Sequence, residues 1–213
     1  MKISHLLTVL LCVVLLGSCS DGTVHIVATS DIHGDYFSSG TRGGMSRVST
    51  WIEWSGIAEK NLIYVDLGDI LSDSPAAFYD RTSNFESLTT TAMCLNYLDC
   101  SVAVPGNHDI ETGIDYLNRF LYEFHGPAVC ANLVLPGSVD PYLQPYTIIK
   151  RRGHKIAFVG MVTTDANEKI PSLILNGLSV RPIAESAANW VKYIRETEKP
   201  DAVIGLFHAS KEE

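Results

Sequence analysis

From residue 24 onward, short apolar runs rich in β-branched residues alternate with longer segments whose apolar positions recur every three or four residues. Val24–Thr29, Leu62–Leu67, Ser101–Val104 and Ala202–Phe207 predict strands. Their unbroken apolar character predicts strands buried on both faces. A helix is predicted from a capping box at Ser83-Asn84-Phe85-Glu86, carrying Phe85, Leu88, Ala92 and Leu95 on one stripe. A second starts at Pro182 and carries Ile183, Ala187, Val191 and Ile194. Met45–Ile57 and Ile114–Tyr122 show weaker helical patterns. Tyr146–Lys150 and Lys155–Val159, separated by Arg151-Arg152-Gly153-His154, predict a hairpin. Strands alternating with helices imply an α/β fold with a mostly parallel sheet. No internal repeat, low-complexity tract or linker interrupts the pattern.

The first residues obey a different rule. Lys2 precedes an apolar run, Leu6–Leu16, of 11 residues. That suits a signal sequence and falls short of the roughly 20 residues that cross a bilayer. Leu16-Gly17-Ser18-Cys19 resembles the lipobox of bacterial lipoproteins, in which the cysteine is lipidated; ordinary cleavage after a small residue is the alternative. Residues 1–18 are therefore expected to be a signal peptide, and the protein to be exported and held at a bacterial membrane only by an N-terminal lipid.

The chain has 213 residues, 46% of them apolar and 19% charged, enough for one buried core. Acidic residues outnumber basic ones by 24 to 16, so the charge footprint of a nucleic-acid binder is absent. An anionic substrate would need a local source of positive charge. Of five cysteines, Cys12 and Cys19 fall in or beside the signal. Cys94, Cys100 and Cys130 lack zinc-site spacing and are expected to be small buried hydrophobes, although one pair could bridge in an oxidising compartment.

The chemistry sits at the strand ends. Ser30-Asp31-Ile32-His33-Gly34, Gly68-Asp69, Pro105-Gly106-Asn107-His108-Asp109 and His208 each come directly after a strand. Ligands bind outside the C-terminal strand edge of open α/β sheets, so four segments should converge there. Asp31 to Asp69 and Asp69 to Asn107 are both 38 residues, about one strand-helix unit. Carboxylate, imidazole and amide donors without thiolates suit zinc, manganese, iron, nickel or cobalt. Two divalent ions would also supply the missing positive charge. Asp35, Asp73 and Asp109, close to these clusters, could support the ligands from behind, but loop aspartates are common and they are read as such. Gly40-Thr41-Arg42-Gly43-Gly44 is read as a turn before a helix rather than a phosphate cradle, and Trp51, Trp54 and Trp190 as helix-packing aromatics.

Asp31-Ile32-His33, Gly68-Asp69, Gly106-Asn107-His108-Asp109 and Phe207-His208 together resemble the ordered motifs of the calcineurin-like metallophosphoesterases. TSDIHG, LGDI, PGNHDIETG, KIAFVGM and KPDAVIGLFHA resemble the branch containing 5′-nucleotidases, 2′,3′-cyclic-nucleotide phosphodiesterases and UDP-sugar hydrolases. The resemblance implies an incomplete α-β-β-α sandwich over residues 19–213 and hydrolysis of nucleotide phosphomonoesters or cyclic phosphodiesters. It implies that Asp31 and His33 hold one metal, that Asp69 bridges, and that Asn107 and His208 hold the other. His108 would meet the phosphate, and Glu111 would pair with His108 in a dyad. The family's Gly-His-x-His segment and the domain that grips the nucleoside have no counterpart in the sequence, which implies a possible separately encoded C-terminal part. Asp73 and Ser210 stand where relatives usually have glycine. Exposed apolar sheet surface would then make the isolated chain prone to aggregate.

Overall fold

The structure, a computed structural model, describes residues 22–37, 43–83, 87–211 and 213. Among the described residues, eight strands and eight α-helices, with one 3-10 turn at Glu59–Asn61, succeed one another: β1 (His25–Thr29), α1 (Met45–Trp54), β2 (Leu62–Asp66), α2 (Pro75–Thr82), α3 (Thr90–Tyr97), β3 (Cys100–Ala103), α4 (Asn107–Glu111) and α5 (Ile114–Glu123). Then come β4 (Leu133–Val134), β5 (Tyr146–Arg151), β6 (His154–Val162), α6 (Ala166–Lys169), α7 (Ser172–Leu175), β7 (Ser179–Val180), α8 (Ile183–Thr197) and β8 (Ala202–His208).

Side-chain alternation along the strands sorts them into layers. β1, β2 and β3 form a parallel sheet in that order, while β5, β6 and β8 form a second in which β5 runs antiparallel and β8 parallel to β6. Ile63, Val65, Val102 and Val104 on one face of the first sheet meet Ile156, Phe158 and Leu206 of the second. Removing each such side chain from water contributes about 1.5–3 kcal/mol. The opposite face of the first sheet, with Tyr64 and Ala103, is covered by Leu95 of α3 and by Leu117 and Phe120 of α5. Ala157, Val159 and Met161 on the far face of the second sheet lie under Ile183, Ala187, Val191 and Ile194 of α8. The layers are therefore helix, sheet, sheet, helix, and the α8 stripe faces inward as predicted.

The seam between sheets is tight at Gly160, where an added Cβ would stand 2.1 Å from the Val129 carbonyl oxygen. In the hairpin, Arg152 and Gly153 take φ of 53° and 86°, the two-residue turn that matches strand twist, and Arg151 opposes His154.

Four expectations need correction. The helix predicted from Ser83 begins at Thr90, capped by the Thr89 side chain accepting from Ala92 N; Ser83 instead terminates α2. Asn84, Phe85 and Glu86 lie outside the described residues, and Leu88 is exposed. α1 ends at Trp54, three residues before the predicted Ile57. β1 and β8 are not buried on both faces: Ile26 and Phe207 are exposed. Trp190 packs against Tyr146 and Tyr193 as expected, whereas Trp51 and Trp54 on α1 are exposed. Cys100 and Cys130 are buried and Cys94 is half-buried, all as free thiols. Among the described residues no helix is long and apolar enough to cross a membrane. Residues 1–18, expected to be a signal peptide, and Cys19 lie outside those residues.

Candidate metal centre

Strand β1 delivers Asp31 and His33, β2 delivers Asp69, β3 leads into Asn107 and His108 at the start of α4, and β8 ends on His208. Backbone bonds lash the loops together: Asp31 N donates to Gly68 O at 3.0 Å and His33 N to Asp69 O at 2.8 Å. The chain turns so sharply here that Gly68 adopts φ +93°, and a Cβ on Gly68 would meet Gly106 N at 2.3 Å. Gly106 is equally constrained, since its Cβ would fall 2.0 Å from Asp69 Oδ1.

Asp31, Asp69 and His208 each offer a ligand atom, and these atoms lie within 4.8 Å of one another. His208 Nδ1 donates to Leu67 O at 2.8 Å, which fixes the tautomer and turns Nε2 toward Asp69 Oδ2, 3.2 Å away. Burial of the ring disfavours its charge, but the Asp69 carboxylate prevails and lifts His208 to about 9. Asp69 is correspondingly held low: burial pushes its carboxyl up, and His208 and the His108 amide pull it further down. Asp69 Oδ1 accepts from His108 N at 2.9 Å, so both its oxygens are oriented. His33 Nε2 lies 3.9 Å from Asp31 Oδ1. Asn107 lines a recess of about 230 Å³ together with Ser30, Asp31 and His208. The five residues expected to ligate metal therefore gather where the strand ends of the first sheet meet the end of β8 from the second. Oxygen and imidazole donors converge without thiolates, a donor set that fits divalent cations.

His108 Nδ1 is 2.9 Å from Glu111 Oε2, one helical turn along α4. Its ring packs edge-on against His33, with centroids 5.6 Å apart. The two predicted catalytic residues are thus paired, and His108 stands beside His33.

Three aspartates that the sequence left as background matter here. Asp109 is fully buried and accepts four backbone N–H bonds, from Asp69, Ile70, Leu71 and Gly106, at 2.8–2.9 Å. Burial pushes its carboxyl up and these amides oppose the shift. Asp73 reaches His33 Nδ1 at 2.9 Å, off a hydrogen-bond line, and His108 Nδ1 at 3.9 Å. Asp35 lines a neighbouring recess of about 670 Å³ with Asp31, Gly43, Gly44 and Asp73, while residues 40–42 of the glycine-rich turn lie outside the described residues. Asp31, His33, Asp69 and Asp73 all have positive φ, between 50° and 69°. Such conformations cost non-glycine residues on the order of 1–3 kcal/mol each and collect where surrounding structure over-determines them.

Asp66, at the end of β2, is also buried, and its carboxylate accepts from Thr29 Oγ1 at 2.6 Å and Gly68 N at 3.0 Å. Burial raises it from 3.8 to about 7. Between those values the folded chain holds a proton that the unfolded chain has lost, so stability falls as pH rises through this window, the loss being complete above 7. His208 acts in the next window: its contribution is full below 6.5 and lost as pH rises through about 9. In metal-free protein, urea midpoints measured from pH 4.5 to 7.5 should decline less for Asp66→Asn than for the parent chain. Identical slopes would show that Asp66 does not carry the effect.

A helix-sheet-sheet-helix sandwich with Asp, His and Asn donors at its strand ends defines a metallophosphoesterase architecture. The chain belongs to the calcineurin-like phosphoesterase family, whose sequence pattern matches residues 24–176. It is 29% identical over 209 residues to a 2′,3′-cyclic-nucleotide 2′-phosphodiesterase/3′-nucleotidase of Haemophilus influenzae, covering 89% of this chain and 31% of that protein. The chain spans about a third of the length of the curated relatives of this kind. Among solved structures, it resembles the calcineurin-like phosphoesterase YfkN of Bacillus subtilis at a TM-score of 0.75 and 24% identity, over 86% of this chain and 61% of that one. It also resembles a 5′-nucleotidase precursor of Thermus thermophilus at 0.72 and 20%, over 87% and 37%. His208 and β8 lie beyond the matched family pattern, yet β8 pairs with β6 inside it and His208 reaches Leu67 O and Asp69.

Proposed function

We propose that this chain is a metal-dependent phosphoesterase acting on nucleotide phosphomonoesters or cyclic phosphodiesters. The convergence of Asp31, Asp69 and His208 within 4.8 Å, beside the His108–Glu111 pair, carries the reading. Asp31 and His33 would hold one divalent ion, Asn107 and His208 a second, and Asp69 would bridge. Such a pair supplies Lewis acidity, an activated water and neutralisation of phosphoryl charge. The residues supply the rest. Glu111 holds His108 Nδ1, leaving Nε2 to donate a proton to the leaving oxygen. Leu67 O keeps His208 in its ligating tautomer, and the His108 amide keeps Asp69 oriented. Glu111→Gln is expected to lower kcat by about 10–100-fold, as loss of an orienting partner does. Combined with His108→Ala it should add almost nothing, because the pair acts as a unit. Additive losses in kcat would show that Glu111 does not act through His108.

The deciding measurement is hydrolysis of p-nitrophenyl phosphate and its bis ester by purified chain supplied with manganese, zinc, nickel or cobalt. Turnover with at least one of them is expected. Its absence with all four would leave the alternative, a non-catalytic exported lipoprotein that needs a separate chain to complete the site. The similarity to a 2′,3′-cyclic-nucleotide phosphodiesterase/3′-nucleotidase supports nucleotides as the substrate class. Residues 1–18 are proposed as a lipoprotein-type signal, with Cys19 lipidated, because a short apolar run ends on Leu16-Gly17-Ser18-Cys19.

A further inference from the structure

β1 and β2 run parallel, as do β6 and β8, and all four point toward the metal centre. The opposite end of the sandwich carries the β5–β6 turn. There the carbonyl oxygen of Gly22, where the described chain begins, lies 3.1 Å from His154 Nε2. His154 starts β6, and Val162, at the other end of that strand, pairs with His208. Eight residue steps of strand separate them, about 26 Å. The N-terminal segment therefore leaves the fold at the end far from the metal ligands. Cys19 precedes Gly22 by three residues, a reach of no more than about 11 Å.

Charge is distributed along the same axis. Lys150-Arg151-Arg152-Gly153-His154-Lys155 holds four of the 16 lysines and arginines and no acidic residue, in a chain of net charge −8. The metal end gathers Asp31, Asp35, Asp69, Asp73, Asp109 and Glu111. In the hairpin register Lys150 stands opposite Lys155 and Arg151 opposite His154, and like charges placed directly across a sheet are destabilising. Internal pairing relieves only Lys155, whose Nζ is 3.0 Å from Glu198 Oε2 and whose amide donates to Asp201 on the β8 side of β6. Among the described residues neither Lys150 nor Arg151 forms an ion pair, and Arg151 Nε is buried without a hydrogen-bond partner. Fold stability does not account for this concentration of charge, whereas an anionic surface outside the molecule does.

We propose that the β5–β6 hairpin, through Lys150, Arg151 and Arg152, contacts anionic phospholipid headgroups and sets the protein upright, with the metal centre facing away from the membrane. The lipid on Cys19 supplies attachment and the hairpin supplies orientation. That division rests on the lipoprotein reading above; the affinity of the hairpin for anionic headgroups does not. A surface that repels the six acidic groups at one end and attracts the cations at the other turns the molecule one way up. At about 26 Å the metal centre stands well beyond the Debye length of about 8 Å, so an anionic ester approaches it without repulsion from the bilayer.

The test uses residues 19–213 with Cys19→Ser, which lacks the lipid and keeps every described residue. Vesicles of phosphatidylcholine are compared with vesicles that also contain phosphatidylglycerol, at low ionic strength. The parent chain should sediment with the mixed vesicles about tenfold more strongly, and added salt should release it. Lys150→Gln, Arg151→Gln and Arg152→Gln combined should lower partitioning about tenfold or more, while Lys150→Arg, Arg151→Lys and Arg152→Lys combined should retain it. Where the glutamine variant does not fold, Lys150→Gln alone should still cost about fivefold. Lys169→Gln should change nothing, because Lys169 pairs with Asp165 beside the metal centre. On mixed vesicles hydrogen exchange should slow at Arg152, Gly153 and His154 and stay unchanged at Thr163 and Asp165. Equal binding to both kinds of vesicle, parent-like binding by the glutamine variants, or slowing at the metal end overturns the proposal. Hairpin-dependent binding in a protein whose Cys19 proves unmodified by mass spectrometry upholds the headgroup contact and overturns the lipoprotein reading alone.

Discussion

Asp69→Asn is expected to reduce phosphoester turnover by about 10³-fold or more, the scale of losing charge that stabilises a phosphoryl transition state. The substitution is nearly isosteric, and the asparagine carbonyl can still accept from His108 N, so the fold should survive. What disappears is the negative charge facing His208, 3.2 Å away, and the second anionic oxygen needed to bridge two cations. In the metal-free chain His208 should lose its partner and titrate much closer to an ordinary imidazole, since Asp69 is what lifts it to about 9. NMR titration of the His208 ring reads this directly. Metal content by mass spectrometry should fall together with turnover, while the circular dichroism spectrum stays unchanged. Turnover within tenfold of the parent chain would mean that Asp69 is not the bridging ligand.

Asp109→Ala should have the largest effect on stability, about 3–5 kcal/mol, although Asp109 touches neither substrate nor the metal ligands' donor atoms. The carboxylate ties the Asp69–Leu71 turn to Gly106 through four amides, and alanine would leave those donors buried without an acceptor. An orphaned buried donor costs about 1–3 kcal/mol, and relaxation keeps the sum below four times that figure. Asp109→Asn should cost less, because its amide oxygen still serves some of the four donors. Urea unfolding gives the stabilities, and a loss under about 1 kcal/mol for Asp109→Ala would contradict this role. Where the variant still folds, its affinity for manganese should fall about 10–100-fold, because Asp69 N is one of the four donors.

The legibility of the site had a simple cause. Asp31, Asp69, Asn107 and His208 each come after an apolar run; the first three follow strands of one parallel sheet, whose termini gather at one edge regardless of distance along the chain, and β8 of the facing sheet ends beside them. Asp109 was illegible for the opposite reason: its partners are backbone amides, which leave no trace in residue type. Asp73 was equally hidden, because its approach to His33 depends on a left-handed backbone rather than on spacing. α2 escaped because its pattern misleads. Ala77 and Asp80 point inward while Phe78 and Tyr79 point out, so the apolar residues form no stripe. Ser74 before Pro75 was the available signal, a capping side chain ahead of a residue suited to the first helical turn. The Ser83 capping box outweighed it in the sequence, yet Thr89 starts the next helix. β1 and β8 read as buried because an apolar run records one covered face as readily as two.

The pairing of His208 with residues near the beginning of the fold also sets an order of events in synthesis. β8 pairs with β6, and that pairing places His208 against Leu67 O and Asp69. Asp31 and Asp69 emerge from the ribosome long before their third companion, and at about 5–20 residues per second the interval between Asp69 and His208 is several seconds or more. During that interval the early carboxylates offer a cation an open, two-residue grip with little selectivity. Full ligation therefore falls to a late, long-range docking step, so the ions would be chosen wherever that last strand settles.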